Sequence, residues 1–458
     1  MTSLSPATPG RFLESKTTIK GTPALNVYTD SRGMTRVTDR ELNADKGFDV
    51  NPGIMGSVLF PPSSGAPNGT AIGAGTNVQF NIQPQFTGPI DQIWLEIVIR
   101  NTHATDAVTL VPAPFFMQTL TIGNPGSGDP STVLTIYPED FWFENMLRTQ
   151  EELARIGAFD ALGMDVATFQ NATALAALTN HTYYLPLVPY TMLQDFVPKV
   201  VATAGNTCVV FNGNSLGIIQ SGTGTPVLVS LNLRFAVARN VPYEAALARQ
   251  VALRRPFDVN YLKPTLYPLG QVTLTEGTPT TLQLTSITDL VAYFFLVIRV
   301  NKTPTAAGWT TLLALGGAGA AEISSGATLD LKTSGGTSII SAGSGVPAGF
   351  MRSAFLNDVI TGDDIPTGGI MATVIPVYTF SACSDMCSAA ATLSAGSKVT
   401  GFYNFNDAMF KQPQITITPG AGALGGVPTL VNVDIYTYSY CNTIFTADGR
   451  SITGYPIS

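Results

Sequence analysis

From Asn77 onward the chain is written in short runs whose apolar residues recur at every second position. Val78, Phe80 and Ile82 alternate with polar neighbours, Leu120 and Ile122 do so again, and Val133 to Tyr137 follows. Ile93 to Ile99 is a nearly continuous apolar run. A period of two puts one set of side chains on one face of a strand, so this text predicts β-structure punctuated by Gly, Pro and Asn. One helix interrupts the series. Pro138 takes a first helical position, Glu139 and Asp140 follow in the first turn, and Gly157 stands just after Ile156. Proline at the start, acids near the positive end of the dipole and glycine beyond the end are the expected punctuation. A second helix, Pro242 to Arg254, has Glu244 near its start, Arg254 and Arg255 at its end and Pro256 as the stop. It lies between two β-rich halves and reads as a connector.

The second half returns to strands from about Asp258, and its apolar run Leu290 to Ile298 ends at Arg299. Its long stretches of small residues, Thr303–Thr328, Thr333–Gly349, Ala382–Ser397 and Pro419–Gly426, read as surface loops. Residues 1–70 have no sustained period and carry Pro9, Pro23, Pro52, Pro61, Pro62 and Pro67, so they read as an arm ordered by its neighbours.

The two halves repeat one another. Trp94-Leu95-Glu96-Ile97-Val98-Ile99-Arg100 is similar to Tyr293-Phe294-Phe295-Leu296-Val297-Ile298-Arg299, 199 residues later. Pro226 to Leu233 is similar to Pro428 to Ile435, 202 later and without a gap, with Val229/Val431, Leu231/Val433 and Leu233/Ile435 on one face. Between them, Tyr184 to Tyr190 has a weaker echo in Val374 to Tyr378. Three matches in order at nearly constant spacing point to two copies of one β-domain. The reading is an all-β chain: a 1–70 arm, a first eight-stranded jelly roll at 71–240, a 241–256 linking helix and a second jelly roll at 257–458, with short helices in loops.

Composition narrows what such a chain does. Only 12% of residues are charged, against about 25% in an average soluble domain, and the net charge is −7. That balance argues against a nucleic-acid binder and for a surface of small polar residues that packs against copies of itself. No apolar h-region follows Met1, which predicts a protein made in the cytosol without Sec-type export. Cys208, Cys383, Cys387 and Cys441 are too few for a disulfide scaffold and read as free thiols.

With two β-repeats, a linking helix, a helix in an inter-strand loop and an N-terminal arm, residues 71–458 resemble the double jelly-roll major capsid proteins of icosahedral viruses. That lineage includes the tectiviruses, the adenovirus hexons and the large algal viruses. The resemblance implies a structural subunit that trimerises into a pseudo-hexameric capsomer of a virion shell, assembled in the host cytoplasm. It implies as partners other copies of the chain, penton and minor capsid proteins and an internal membrane, with no specific nucleic acid. No catalytic, cofactor or metal residues are expected. The rival readings are a secreted or surface carbohydrate-binding tandem β-sandwich and a viral spike. Trp94, Trp142 and Trp309 are spread rather than clustered, and there is no shaft repeat.

Apparent chemical motifs have plainer accounts. Gly213-Asn214-Ser215-Leu216-Gly217 matches a nucleophile elbow, but His103 and His181 both precede Ser215 and the text after Ile218 reads as a loop. Cys383 and Cys387 lack the partners and spacing of a zinc site. Gly316 to Gly319 lacks the Lys and Ser/Thr of a phosphate loop. Asp358, Asp363 and Asp364 read as a solvated acidic turn rather than a calcium site. Asn68, Asn171, Asn180 and Asn301 open glycosylation triplets that matter only on a secretory path. Arg249, Arg254 and Arg255 form a basic cluster that caps a helix or faces an anionic layer inside a shell.

Overall fold

Leu95, Ile97 and Ile99 are each at most 1% exposed, while Trp94, Val98 and Arg100 between them are not buried. The same two-residue rhythm buries Val78 and Phe80, Leu120 and Ile122, Val209 and Phe211, and Leu231 and Leu233. Each such side chain contributes about 1.5–3 kcal/mol on leaving water, enough to fix which face of each strand turns inward. The computed structural model describes residues 14–17, 25–29, 35–38, 55–60, 70–71, 77–82, 90–124, 131–141, 173–186, 207–238, 257–300, 305, 312–313, 315, 326–339, 346–347, 377–379, 403–406, 413–445 and 452–456.

In chain order, β1 (Glu14–Thr17), β2 (Leu25–Thr29) and β3 (Thr35–Thr38) form a three-stranded antiparallel sheet of their own. The first half then runs through β4 (Met55–Phe60), β5 (Thr70–Ala71), β6 (Asn77–Ile82), β7 (Ile90–Asn101), β8 (Val108–Leu110) and β9 (Met117–Asn124). It continues through β10 (Ser131–Ile136), β11 (Thr173–Leu175), β12 (Asn180–Pro186), β13 (Thr207–Gly213), β14 (Gln220–Gly222) and β15 (Pro226–Ala238). The second half holds β16 (Phe257–Leu274), β17 (Thr280–Gln283), β18 (Leu290–Val300), β19 (Thr328–Lys332) and β20 (Val346–Pro347). It ends with β21 (Val377–Thr379), β22 (Tyr403–Asn404), β23 (Gln414–Thr418), β24 (Thr429–Phe445) and β25 (Ile452–Pro456).

Two sheets of the first half have the orders β12-β7-β15-β4 and β10-β9-β13-β6; two of the second have β21-β18-β24-β16 and β20-β19-β23-β17. Counting in each half only the eight strands of these two sheet orders, both pairs read sixth-third-eighth-first and fifth-fourth-seventh-second. That is one jelly roll built twice, with every pairing antiparallel. In the second half the cluster of Phe294, Leu296, Ile298, Val431, Val433 and Ile435 from one sheet meets Leu329, Leu331, Ile415 and Ile417 from the other.

The repetition reaches one of the strand irregularities. Between Ala236 and Val237 the β15–β7 register jumps so that Asp91 is the extra residue; between Tyr293 and Val291 the β24–β18 register jumps so that Ala292 is extra. The two bulges lie 201 residues apart. A bulge bends and twists its strand, so both halves curve at the same place.

The register also corrects the sequence reading. Leu233 pairs with Leu95 and Ile435 with Leu296, so β7 and β18 correspond at a spacing of 201 rather than 199. A slip of two keeps the face but changes the partner: Arg299 corresponds to Val98, not to the exposed Arg100. Strand β18 itself runs past the end of that apolar run, through Arg299 to Val300. Strand β4, inside the stretch expected to be an arm, pairs with β15 from Leu233↔Phe60 to Ala238↔Met55 and completes the first sheet. Leu313 and Leu315, expected in a surface loop, belong to the second core. The 242–254 connector helix lies outside the described residues.

Candidate functional site

Among the described residues, a buried constellation of charge joins the two halves. After β10 the chain leaves its sheet at Tyr137 and turns helical at 138–141. Asp140 accepts a hydrogen bond from the Tyr137 backbone N–H at 2.7 Å, the backward half of a capping box that fixes the start of the helix. The sequence suggests that Glu139 and Asp140 are there for the helix dipole. Instead they are 2% and 0% exposed and face the second half. Arg299 of β18 donates to Glu139 and, at 3.0 Å, to Asp434 of β24. Tyr438 of β24 donates its hydroxyl to Asp140 at 2.5 Å, and Tyr137 meets Tyr436 edge-on with ring centroids 5.9 Å apart.

Burial opposes the charge of Arg299, but Glu139, Tyr436 and Asp434 outweigh it and push its pKa up, so the guanidinium stays charged. Burial, with Glu139 adding to it, pushes the Tyr436 phenol far up. Desolvating each ion costs several kcal/mol, so the cluster is tolerable only with all its members present. Its chemistry is positional: it admits one docking of the first half's helical turn on the outer face of the β21-β18-β24-β16 sheet.

The corresponding outer face of the β12-β7-β15-β4 sheet is furnished differently. Taking β7 and β18 at 201 and β15 and β24 at 202, Val98 stands where Arg299 does, Asn232 where Asp434 does, and Arg234 where Tyr436 does. Here Glu96 of β7 accepts from Arg234 of β15, whose side chain is 34% exposed, and the Arg234 guanidinium lies 6.0 Å from the Tyr184 ring centroid. The bond to Glu96 raises the Arg234 pKa. Cation and anion have exchanged strands relative to the second half.

One end of the first half is tied by Asn101, which is fully buried. Its amide donates to the carbonyls of Asp106 at 2.8 Å and Leu175 at 3.2 Å. Its carbonyl accepts from the N–H groups of His103 at 3.1 Å and Thr225 at 3.0 Å. Three loops therefore meet on one side chain. Gly224 passes so close that a Cβ there would come 2.7 Å from Val108 Cβ. In the second half Glu276 ties a loop by accepting from the backbone N–H of Leu424 at 2.7 Å and Gly426 at 3.1 Å.

The residues singled out in the sequence fall elsewhere. Ser215 follows β13 and precedes a single helical turn, Leu216–Ile219; the text after Ile218, expected as a loop, holds strand β14, Gln220–Gly222. The Ser215 side chain makes no capping bond there. His103 Nδ1 accepts from Thr105 and Asp106 backbone N–H, and His181 packs 4.4 Å from the Tyr183 ring with its Nε2 buried, so neither bonds to Ser215. Asn180 is exposed at the start of β12. Cys383, Cys387, Asp358, Asp363, Asp364, Gly316 to Gly319, Arg249, Arg254, Arg255, Asn68, Asn171 and Asn301 lie outside the described residues. Among the described residues no three His, Cys, Asp or Glu side chains come together in a way that could hold a metal.

Sequence reasoning missed Asn101, Glu139, Asp434 and the role of Arg299. The one signal was an arginine flanked by Ile298 and Val300, since a charge inside an apolar strand needs a buried partner.

No protein-family model and no curated protein matches the chain. Solved structures do. A quasi-atomic model of the PBCV-1 virus capsid superposes with a TM-score of 0.57 at 13% identity, covering 87% of this chain and 96% of that one. PBCV-1 VP54, as fitted into a reconstruction of the virophage Sputnik, gives 0.55 at 14% identity, with coverage of 87% and 96%. The faustovirus major capsid protein gives 0.51 at 10% identity, with 89% and 94%. The chain thus shares the double jelly-roll fold of these proteins along nearly its whole length.

Proposed function

We propose that this chain is the structural subunit of an icosahedral virus shell, a non-enzymatic protein whose work is burial against copies of itself. The observation that carries the reading is the double jelly roll with its repeated bulge, Asp91 and Ala292, in a fold shared with viral capsid structures. Two similar units in tandem suit a trimer. Three copies place six alike β-units around an axis, close to the six-fold environment of a flat lattice. In this reading the chain acts in the virion after assembly in the host cytoplasm. Penton and minor proteins and an internal membrane are its further partners, and no catalytic, cofactor or metal site is assigned. The units run from Met55 to about residue 240 and from 257 to 458, with 241–256 as connector and the residues before Met55 as an arm.

Sedimentation and negative-stain imaging of the purified chain test this. Pseudo-hexagonal particles of about 145 kDa, three times 48.3 kDa, are the expected result. A monomer at micromolar concentration would overturn it.

A further inference from the structure

At one end of the first half, the loop that follows β7 is closed by an imidazole. His103 Nδ1 accepts from the backbone N–H of Asp106 at 2.9 Å and from that of Thr105 at 3.3 Å. A ring nitrogen that accepts carries no proton, so the neutral ring keeps its proton on Nε2. A carboxylate of the same turn lies beside it, with Asp106 Oδ2 3.8 Å from Nδ1. That oxygen accepts from the Thr223 hydroxyl at 2.8 Å, and Oδ1 accepts from the Thr105 hydroxyl at 2.9 Å. Thr223 belongs to the segment between β14 and β15. The two segments are therefore joined twice. Asn101 and the Thr102 N–H, which donates to the Thr225 carbonyl at 2.9 Å, hold their base. Asp106 and Thr223 hold their tip, where the side chains of His103 and Asp106 are 34% and 44% exposed and within reach of water.

We propose that His103 is a proton-operated latch on this end of the unit: neutral, it holds the 103–106 turn shut; protonated, it releases the turn and draws Asp106 away from Thr223. Imidazole is the side chain whose charge changes between pH 5 and 8. When Nδ1 takes a proton from water it turns from acceptor to donor, and the N–H groups of Thr105 and Asp106 both lose their partner. The new N–H is attracted to Asp106 Oδ2, the oxygen that Thr223 already uses. Hydrogen bonds from Thr223 and then Thr105 hold the Asp106 carboxyl below its usual pKa, so the ring meets an anion there. The 222–225 segment and the 176–179 turn bring no charged side chain to this end. Among the described residues the other titratable groups nearby in the chain pairing are Arg100, which is exposed, and His181, whose Nε2 is buried beside Tyr183. The base of the two segments uses the Asn101 amide and backbone groups, none of which titrates, so the movement is confined to the tip. The inference concerns one unit and is independent of the assembly reading.

The experiment uses the full chain and His103→Asn. An asparagine carbonyl accepts from backbone N–H groups further along its own turn, as the imidazole does, but takes no proton in this range. Hydrogen exchange of the segment 102–107 is followed by mass spectrometry at pH 8 and pH 5, corrected for the intrinsic pH dependence of exchange. In the wild type, protection of the Thr105 and Asp106 amides is expected to fall about tenfold or more on acidification, the equivalent of a lost hydrogen bond. His103→Asn is expected to keep its protection at both pH values. The wild type also carries its own comparison, which serves if the variant misfolds: the Asn180–Leu185 segment, which holds His181, is expected to lose less protection than 102–107. A wild-type turn indifferent to pH overturns the latch. So does an equal fall in wild type and His103→Asn, or an equal fall in both segments of the wild type, because the proton then acts elsewhere.

Discussion

Replacing Arg299 by Met removes a cation of nearly the same length and leaves its two carboxylate partners in place. The side chains of Glu139 and Asp434 are only 3% and 4% exposed, so water cannot take over the role of the guanidinium. Breaking a buried pair from one side costs about 3–5 kcal/mol. For a unit of this size, at about 2–4 °C per kcal/mol, the melting temperature is expected to fall by roughly 6–20 °C. Adding Glu139→Gln and Asp434→Asn to Arg299→Met removes the stranded charges and is expected to recover most of the loss. Thermal and urea melts of the wild type, the single variant and the triple variant decide the matter. A single variant within about 1 kcal/mol of wild type, or a triple variant no better than the single, refutes the argument that the cluster is an all-or-none unit.

Asn101→Ala strands buried groups on three loops and is expected to cost at least about 1–3 kcal/mol by urea titration; a loss below that range would mean the loops satisfy one another without it. Glu276→Gln weakens the tie to the Pro419–Gly426 loop and is expected to speed hydrogen exchange at the Leu424 and Gly426 amides. Backbone N–H groups of Leu424 and Gly426 hold the Glu276 carboxyl below its usual pKa, so its contribution is present above the unfolded carboxylate pKa and lost as pH falls through the lowered one. Exchange at those two amides that ignores both the substitution and acid would contradict this. Burial lowers the pKa of His181, so the unfolded chain binds the extra proton and this histidine weakens the fold as pH drops below about 6.5. His181→Phe is expected to flatten that part of the stability–pH curve, and an unchanged curve would show that other groups dominate it.

The duplication was legible because β15 and β24 keep their alternation without a gap. Of the weak echo between Tyr184 to Tyr190 and Val374 to Tyr378, the described parts, 184–186 and 377–378, fall on strands of equal rank, β12 and β21. The slip of two in β7 and β18 arose because continuous apolar runs look alike at any even offset; only the pairing of Leu95 and Leu296 with their neighbours fixes it. Strand β4 was hidden because MGSVLF is short, stands beside Pro61 and Pro62, and gains its place from a partner some 175 residues later. For the charge cluster the sequence marked only Arg299, set between Ile298 and Val300, and not its partners. Arg299 meets partners 135 and 160 positions away, and nothing local to Glu139 distinguishes a helix-start acid from a buried one. Long-range complementarity leaves no mark on short-range pattern.

The separation of Glu139 from Arg299 also sets a clock. At about 5–20 residues per second of synthesis, the 160 residues between them correspond to roughly 8–30 s. During that time the first half is already long enough to fold, and its two acids are still hydrated and unpaired. A nascent chain on a crowded polysome therefore displays the docking turn before its own receptor exists. Any finished second half within reach presents the same arginine and the same tyrosines. Domain exchange between neighbouring nascent chains is the hazard built into this design, and the brevity of the 241–256 connector limits it, because a short tether raises the effective concentration of the chain's own second half over that of a stranger.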